Sequence, residues 1–250
     1  MTTPTFTPPQ PHGELTQVLP ELWTVRGTIG LPGPLPMRFS RNMLVVREGE
    51  RLVLVNTLRM SDEGLKQLDA LGKVTDVIRL AGFHGADDAF YKDRYGAKVW
   101  AIKGQRYTRG FSQKAEPYFH PDVEVEASTA LPIAGAKLYL FSTRPSEAIL
   151  RLDREGGILV TGDSLQNWDR ADEYFSFPAK VFMRLMGFIK AHNVGPGWVK
   201  QARPSAAELR GVLDLSFEHV LPSHGANVIG GAKEAFRPAI ERAAATVEAR

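Results

Sequence analysis

The chain has 250 residues, of which 43% are hydrophobic and 24% charged, a balance that excludes a disordered or collagen-like chain. It contains no cysteine, which excludes a disulfide framework, a Cys-ligated zinc site, an iron–sulfur cluster and a thiol nucleophile. Its net charge of +3 is not gathered into a Lys/Arg cluster, so nucleic acid is not an expected partner.

Pro4, Pro8, Pro9 and Pro11 hold the start of the chain extended, and residues 1–20 read as a Pro-rich arm. This stretch has neither the basic n-region nor the apolar h-region of a secretory signal. No run approaches about 18 consecutive apolar residues. A cytoplasmic protein without a transmembrane segment is the expectation. The domain proper is expected over 21–250. ELWTVRGT (Glu21–Thr28) reads as a strand and GLPGPLPMRF (Gly30–Phe39) as a surface loop. The β-branched runs Met43–Val46 and Arg51–Thr57 flank the turn EGE and predict a hairpin. Ser61 is placed to cap a short helix that Gly72 ends. Val74–Ala81 is the next strand, Asp87–Gly96 a helix and Ala97–Ile102 a strand.

The second half repeats this rhythm. Lys137–Thr143, Glu147–Asp153 and Gly157–Asp163 are strands in close succession. A helical insertion is expected at about 166–204, followed by a helix capped by Ser205, a short strand from His219, and a C-terminal helix from Gly230. Two mixed sheets packed face to face, flanked by helices, form the simplest architecture for this order: a four-layer αββα sandwich.

Within the insertion, PAKVFMRLMGFIKAHN (Pro178–Asn193) starts a helix with proline. Val181, Phe182, Leu185, Met186 and Ile189 fall on one side, and Lys180, Arg184, Gly187 and Ala191 on the other. An apolar face that wide requires cover: the domain's own core, a substrate pocket beneath a lid, or a second subunit, giving a homodimer through residues 174–198. A membrane-surface helix is a further reading.

Three loops just past apolar strands carry titratable residues: GFHGADD (Gly82–Asp88), TGDSLQN (Thr161–Asn167) and PSHGAN (Pro222–Asn227). At these positions the sequence resembles the metallo-β-lactamase superfamily, over about Leu22 to Gly231. The family places a Thr-His-X-His-X-Asp-His run after a buried strand, a third His later, then a Gly-Asp, then a terminal His-Gly. Laid on that pattern, His84, Asp163 and His224 keep the family's residues. Gly82 stands where the first His belongs, Ala86 where the Asp belongs, and Asp87 where the last His of the run belongs. Thr143 or Arg144 stands near the third His.

The resemblance implies the αββα fold and one residual divalent ion (zinc, iron or manganese) on His84, Asp87, Asp163 and His224. The ion would activate water against a small-molecule ester, amide, thioester or phosphoester. Asp88 would orient a ligand or take a proton as a catalytic group, and Arg144 would meet an anionic group of the substrate. Plainer readings stand beside these. Asp87 and Asp88 at the start of a helix are capping candidates, and Asp163 is a candidate turn residue. The lost positions also admit a non-catalytic relative that has given up metal binding and serves in ligand binding or assembly.

Overall fold

A computed structural model describes residues 6–31, 37–108 and 115–249. In chain order the elements are β1 (Thr16–Leu19), β2 (Leu22–Leu31), β3 (Met37–Glu48), β4 (Arg51–Val55), α1 (Asp62–Leu71), β5 (Lys73–Arg79), α2 (Asp88–Tyr95), β6 (Lys98–Ile102) and β7 (Val123–Val125). Then follow β8 (Ala136–Phe141), β9 (Glu147–Leu152), β10 (Ile158–Thr161), β11 (Leu165–Gln166), α3 (Phe177–Leu185), β12 (Asn193–Val194), α4 (Pro196–Ala202), α5 (Ala206–Gly211), β13 (His219–Pro222) and α6 (Ala232–Glu248).

Strands β1 to β7 form one sheet in sequence order, antiparallel from β1 to β4 and parallel from β4 to β7. The second sheet has the order β13-β10-β9-β8. There β13 runs parallel to β10, and β9 runs antiparallel to both of its neighbours, β10 and β8. Along a strand, successive side chains face opposite ways, so a central strand buried on both sides must be apolar throughout. In β4, Val53 and Val55 join the layer between the sheets, where they meet Leu150, Leu152, Ile158 and Val160. Leu52 and Leu54 point the other way, into a second core with Leu65 and Leu68 of α1 and Phe90 and Tyr91 of α2. The outer face of the second sheet presents Ile149, Leu159 and Val220 to Trp198 of α4, Leu209 of α5 and Phe236 and Ile240 of α6. The result is the four-layer αββα sandwich, two mixed sheets with helices outside.

The punctuation residues act as the sequence suggests. The hairpin pairs Glu48 with Arg51. The Ser61 side chain accepts from the Gly64 amide at the start of α1. Gly96 closes α2 at φ 66°. Four local differences stand out. The described part of the arm is attached to the body: β1 pairs with β2, and His12 Nε2 accepts from the Ser61 amide at 2.7 Å. The loop expected over Gly30–Phe39 is shorter, because β2 runs to Leu31 and β3 starts at Met37, and its 32–36 lie outside the described residues. The insertion holds two short strands and α4 besides α3. Finally, α3 ends at Leu185, because Gly187 takes φ 75° and turns the chain. No helix among the described residues is long and apolar enough to cross a membrane.

Candidate functional site

Three loops meet at one end of the two sheets: the one after β5, the one after β10 and the one after β13. Buried amides clamp them to the strands beneath. Asn42 of β3 donates from Nδ2 to the carbonyls of Pro222 (2.8 Å) and Gly225 (2.7 Å). Asn56, just past β4, donates to Ser223 Oγ at 2.8 Å and accepts from the Leu80 amide at 2.9 Å. Gly225 has φ 91°, and a Cβ there would stand 2.1 Å from the Asn167 backbone. Only glycine permits that crossing, and the crossing fixes His224 against the loop of Asp163.

The side chains of His84, Asp163 and His224 converge as a group able to hold a metal ion. His84 Nε2 lies 3.2 Å from His224 Nε2. The Asp163 carboxylate lies 3.1 Å from His224 Nε2 through Oδ1 and 3.5 Å from His84 Nε2 through Oδ2. Ligands about 2.0–2.1 Å from a tetrahedral zinc stand about 3.3–3.4 Å from one another. The Nε2–Nε2 separation and the contacts of the two carboxylate oxygens lie close to that spacing, so the two imidazoles and either oxygen of Asp163 are within reach of one ion.

The surroundings suit ligation. His224 Nδ1 donates to the Ser40 carbonyl at 3.3 Å, which sets the ring's orientation and directs Nε2 at the Asp163 carboxylate. Burial pushes the His84 pKa down from 6.5 to about 4, with Asp163 offsetting only part of that effect. Its imidazole is thus neutral near pH 7. Burial raises the Asp163 carboxyl, but the two imidazoles outweigh it and hold the group below its ordinary range. His84 Nδ1 and Asp163 Oδ2 are buried without a hydrogen-bond partner. A bound cation would satisfy the second of these, since burying an unpaired carboxylate oxygen is costly.

The remaining sequence candidates lie apart from this group. Asp87 Oδ2 accepts from Arg41 Nη2 at 2.8 Å and from the Arg59 amide at 3.0 Å. It is an ion-pair residue at the start of α2 and makes no side-chain cap. Asp88 is fully buried, accepting from Thr57 Oγ1 at 2.5 Å and Tyr107 Oη at 2.6 Å. Burial raises its pKa, and those two hydrogen bonds partly offset the rise. Arg144 is exposed and lines a surface groove with Lys103, Arg106 and Pro145. At the first-His position, a Cβ on Gly82 would stand 2.3 Å from Pro145 Cβ, so proline occupies the space a histidine side chain needs.

Two neighbours of the site carry no sequence motif. Glu147 opens β9 and is buried, with Oε1 accepting from the Ser164 amide at 2.6 Å. Burial, with the Asp163 charge adding to it, pushes its pKa well up. The only sequence signal was an acid at the head of an apolar strand. Trp168 packs its ring 4.9 Å from that of His224 and donates from Nε1 to Ser40 Oγ at 2.8 Å. Its signal was an aromatic residue soon after Asp163.

The chain is similar in structure to several solved metallo-β-lactamases. DIM-1 superposes with a TM-score of 0.62 at 14% identity, over 94% of this chain and 99% of that one. FIM-1 from Pseudomonas aeruginosa, in its mono-zinc form, gives 0.60 at 14% identity, over 96% and 98%. A metallo-β-lactamase from Erythrobacter litoralis gives 0.57 at 16% identity, over 96% of each chain. No protein-family model and no curated protein matches the sequence.

Proposed function

We propose that this chain, which has the metallo-β-lactamase fold, is a hydrolase working with one divalent metal ion held by His84, Asp163 and His224. The observation that carries the reading is the convergence of three ligand side chains, with the two imidazole Nε2 atoms 3.2 Å apart and the Asp163 carboxylate 3.1 Å from His224 and 3.5 Å from His84 through its two oxygens. Two imidazoles and one carboxylate form a three-ligand set that leaves a position open, as catalytic zinc sites do. When bound, such an ion supplies Lewis acidity and lowers the pKa of water toward neutrality, the chemistry of ester, amide and phosphoester hydrolysis.

The chain's own residues would do the rest. The Ser40 carbonyl orients His224. Burial keeps His84 neutral and therefore able to donate its lone pair. Trp168 closes one side of the site against water. Glu147, with its pKa raised, keeps a proton beside Asp163, so that a second carboxylate charge does not gather there. Asp88 acts on the site through the loop it anchors, bonded to Thr57 and Tyr107.

A second reading is a non-catalytic relative. The Gly82–Pro145 contact favours it, because the space for one family ligand is filled. Metal analysis separates the two. Protein purified without chelators should carry about one zinc, iron or manganese per chain by mass spectrometry. His224→Ala and Asp163→Asn should each lower that content at least tenfold, while Asp87→Asn leaves it unchanged. Wild-type protein that remains empty after incubation with a small excess of each ion would establish the non-catalytic reading.

A further inference from the structure

We propose that helix α3 is a docking element for an anionic phospholipid surface, set beside the mouth of the site. Its inner side buries only Ala179 and Met183, against Trp168 and Phe175. Directly opposite, at i, i+4 and i+8 on one helical line, stand Phe177, Val181 and Leu185, which are 78%, 45% and 81% exposed. Phe182 on the adjoining side of the helix and Met186 just past its end are about half exposed. Soluble chains seldom leave such a contiguous apolar patch uncovered.

Charge points to the occupant. From Tyr174 through Ala207 the sequence has no acidic residue, and Lys180 and Arg184 on α3 and Lys190 beyond it stand exposed. Among the described residues none of these three makes an ion pair. Asp172 and Glu173, at the entry of the segment, share a groove with Lys180. An apolar crest flanked by unpaired cations is the pattern of a helix lying in the membrane interface.

A second copy of the chain fits less well. A two-fold contact sets the same patch against itself, so each basic flank would face cations with no acid from 174 to 207 to answer them. The crest also offers only on the order of 500 Å² per side, against about 800 Å² in a standard interface.

Position links this face to the site. Ala179 and Met183 pack on Trp168, whose ring lies against His224. A chain seated on lipid through α3 would hold the site close to the bilayer surface.

Vesicle co-sedimentation tests the proposal. The wild-type chain should sediment with phosphatidylglycerol/phosphatidylcholine (3:7) vesicles at least fivefold more than with pure phosphatidylcholine, and 0.5 M salt should reduce the difference, since salt screens exposed charges. Phe177→Ser with Leu185→Ser, both at exposed positions, should lose binding at least tenfold with an unchanged thermal midpoint. Lys180→Glu with Arg184→Glu should lose the preference for the anionic vesicles. Because the chain has no cysteine, Leu185→Cys provides a unique site for an environment-sensitive dye, whose emission should move to the blue on anionic vesicles only. A wild-type chain that stays in the supernatant, or a crest variant that binds like wild type, overturns the proposal. So does a wild-type dimer in light scattering that the crest variant converts to a folded monomer, which would make a second copy the occupant.

Discussion

His84 couples the site to the stability of the fold. Its imidazole is fully buried, and burial lowers its pKa from 6.5 to about 4. Above pH 6.5 the ring is neutral whether the chain is folded or not, and it contributes no pH dependence. Between pH 6.5 and 4 the unfolded chain takes up a proton that the folded chain refuses, so stability falls as pH falls. At about 1.4 kcal/mol per pH unit the loss reaches about 3 kcal/mol by pH 4. Asp163 works in a different window: its lowered carboxyl stabilises the fold above its ordinary value of 3.8, and that contribution disappears only at lower pH. Thermal melts of chelator-treated protein from pH 7.5 to 4.5 should therefore show a falling midpoint, and His84→Gln should flatten the curve. An equal slope in the variant would remove His84 as the cause. In metal-loaded protein the slope should be steeper, because ligating imidazoles must also be neutral for the ion to stay bound.

At the scale of elements, helix ends carry much of the local specificity. Ser205 and Glu208 form a reciprocal box at the start of α5: the Glu208 amide donates to Ser205 Oγ at 3.2 Å, and Glu208 Oε2 accepts from the Ser205 amide at 2.8 Å. Glu208 also accepts from the Ser142 amide, just past β8, so the box ties α5 to the end of the second sheet. Ser205→Ala should cost about 1 kcal/mol, and Glu208→Ala more, since it also releases Ser142. Urea titrations check this: the midpoint should move in that order with an unchanged slope. Helix α3 teaches the opposite lesson. Its apolar periodicity was visible in the sequence, and cover for that whole face was the expectation. Instead the helix lies with its smallest side chain, Ala179, and Met183 inward, and leaves Val181, Phe182, Leu185 and Met186 exposed. Periodicity shows that a face exists; which stripe turns inward depends on the surface waiting for it, here Trp168, Phe175 and Phe39.

At the scale of the whole molecule, the two sheets determine which ligand positions survive. Gly82 follows β5 of the first sheet and Pro145 precedes β9 of the second, and their contact lies where the sheets come together beside the site. Restoring the family's residue by Gly82→His should therefore destabilise the chain by about 2 kcal/mol, the usual cost of overfilling a packed contact, without raising its metal content. Pairing it with Pro145→Gly should recover part of the stability. Urea midpoints read beside metal analysis check both statements. If Gly82→His bound a second ion at no cost in stability, the packing account of the lost ligand would fail.

The sequence alone determined the layering and the three loops that carry His84, Asp163 and His224. Two-faced apolar strands such as Arg51–Val55, capping residues such as Ser61 and Ser205, and turn glycines such as Gly96 act through local sterics and hydrogen bonds, which a short stretch of chain already contains. Asp87 shows where local reading stops. As an acid near a histidine in a ligand-like run, it reads as a metal ligand slightly better than as a helix cap, and its partner, Arg41, lies 46 residues away on β3. Glu147, Trp168 and the Ser40 carbonyl join the site in the same way, by strand pairing and sheet packing that bring distant residues within 3 to 5 Å. The fold class follows from interactions between near neighbours. The make-up of the site depends on long-range contacts, whose partners no local stretch of sequence specifies.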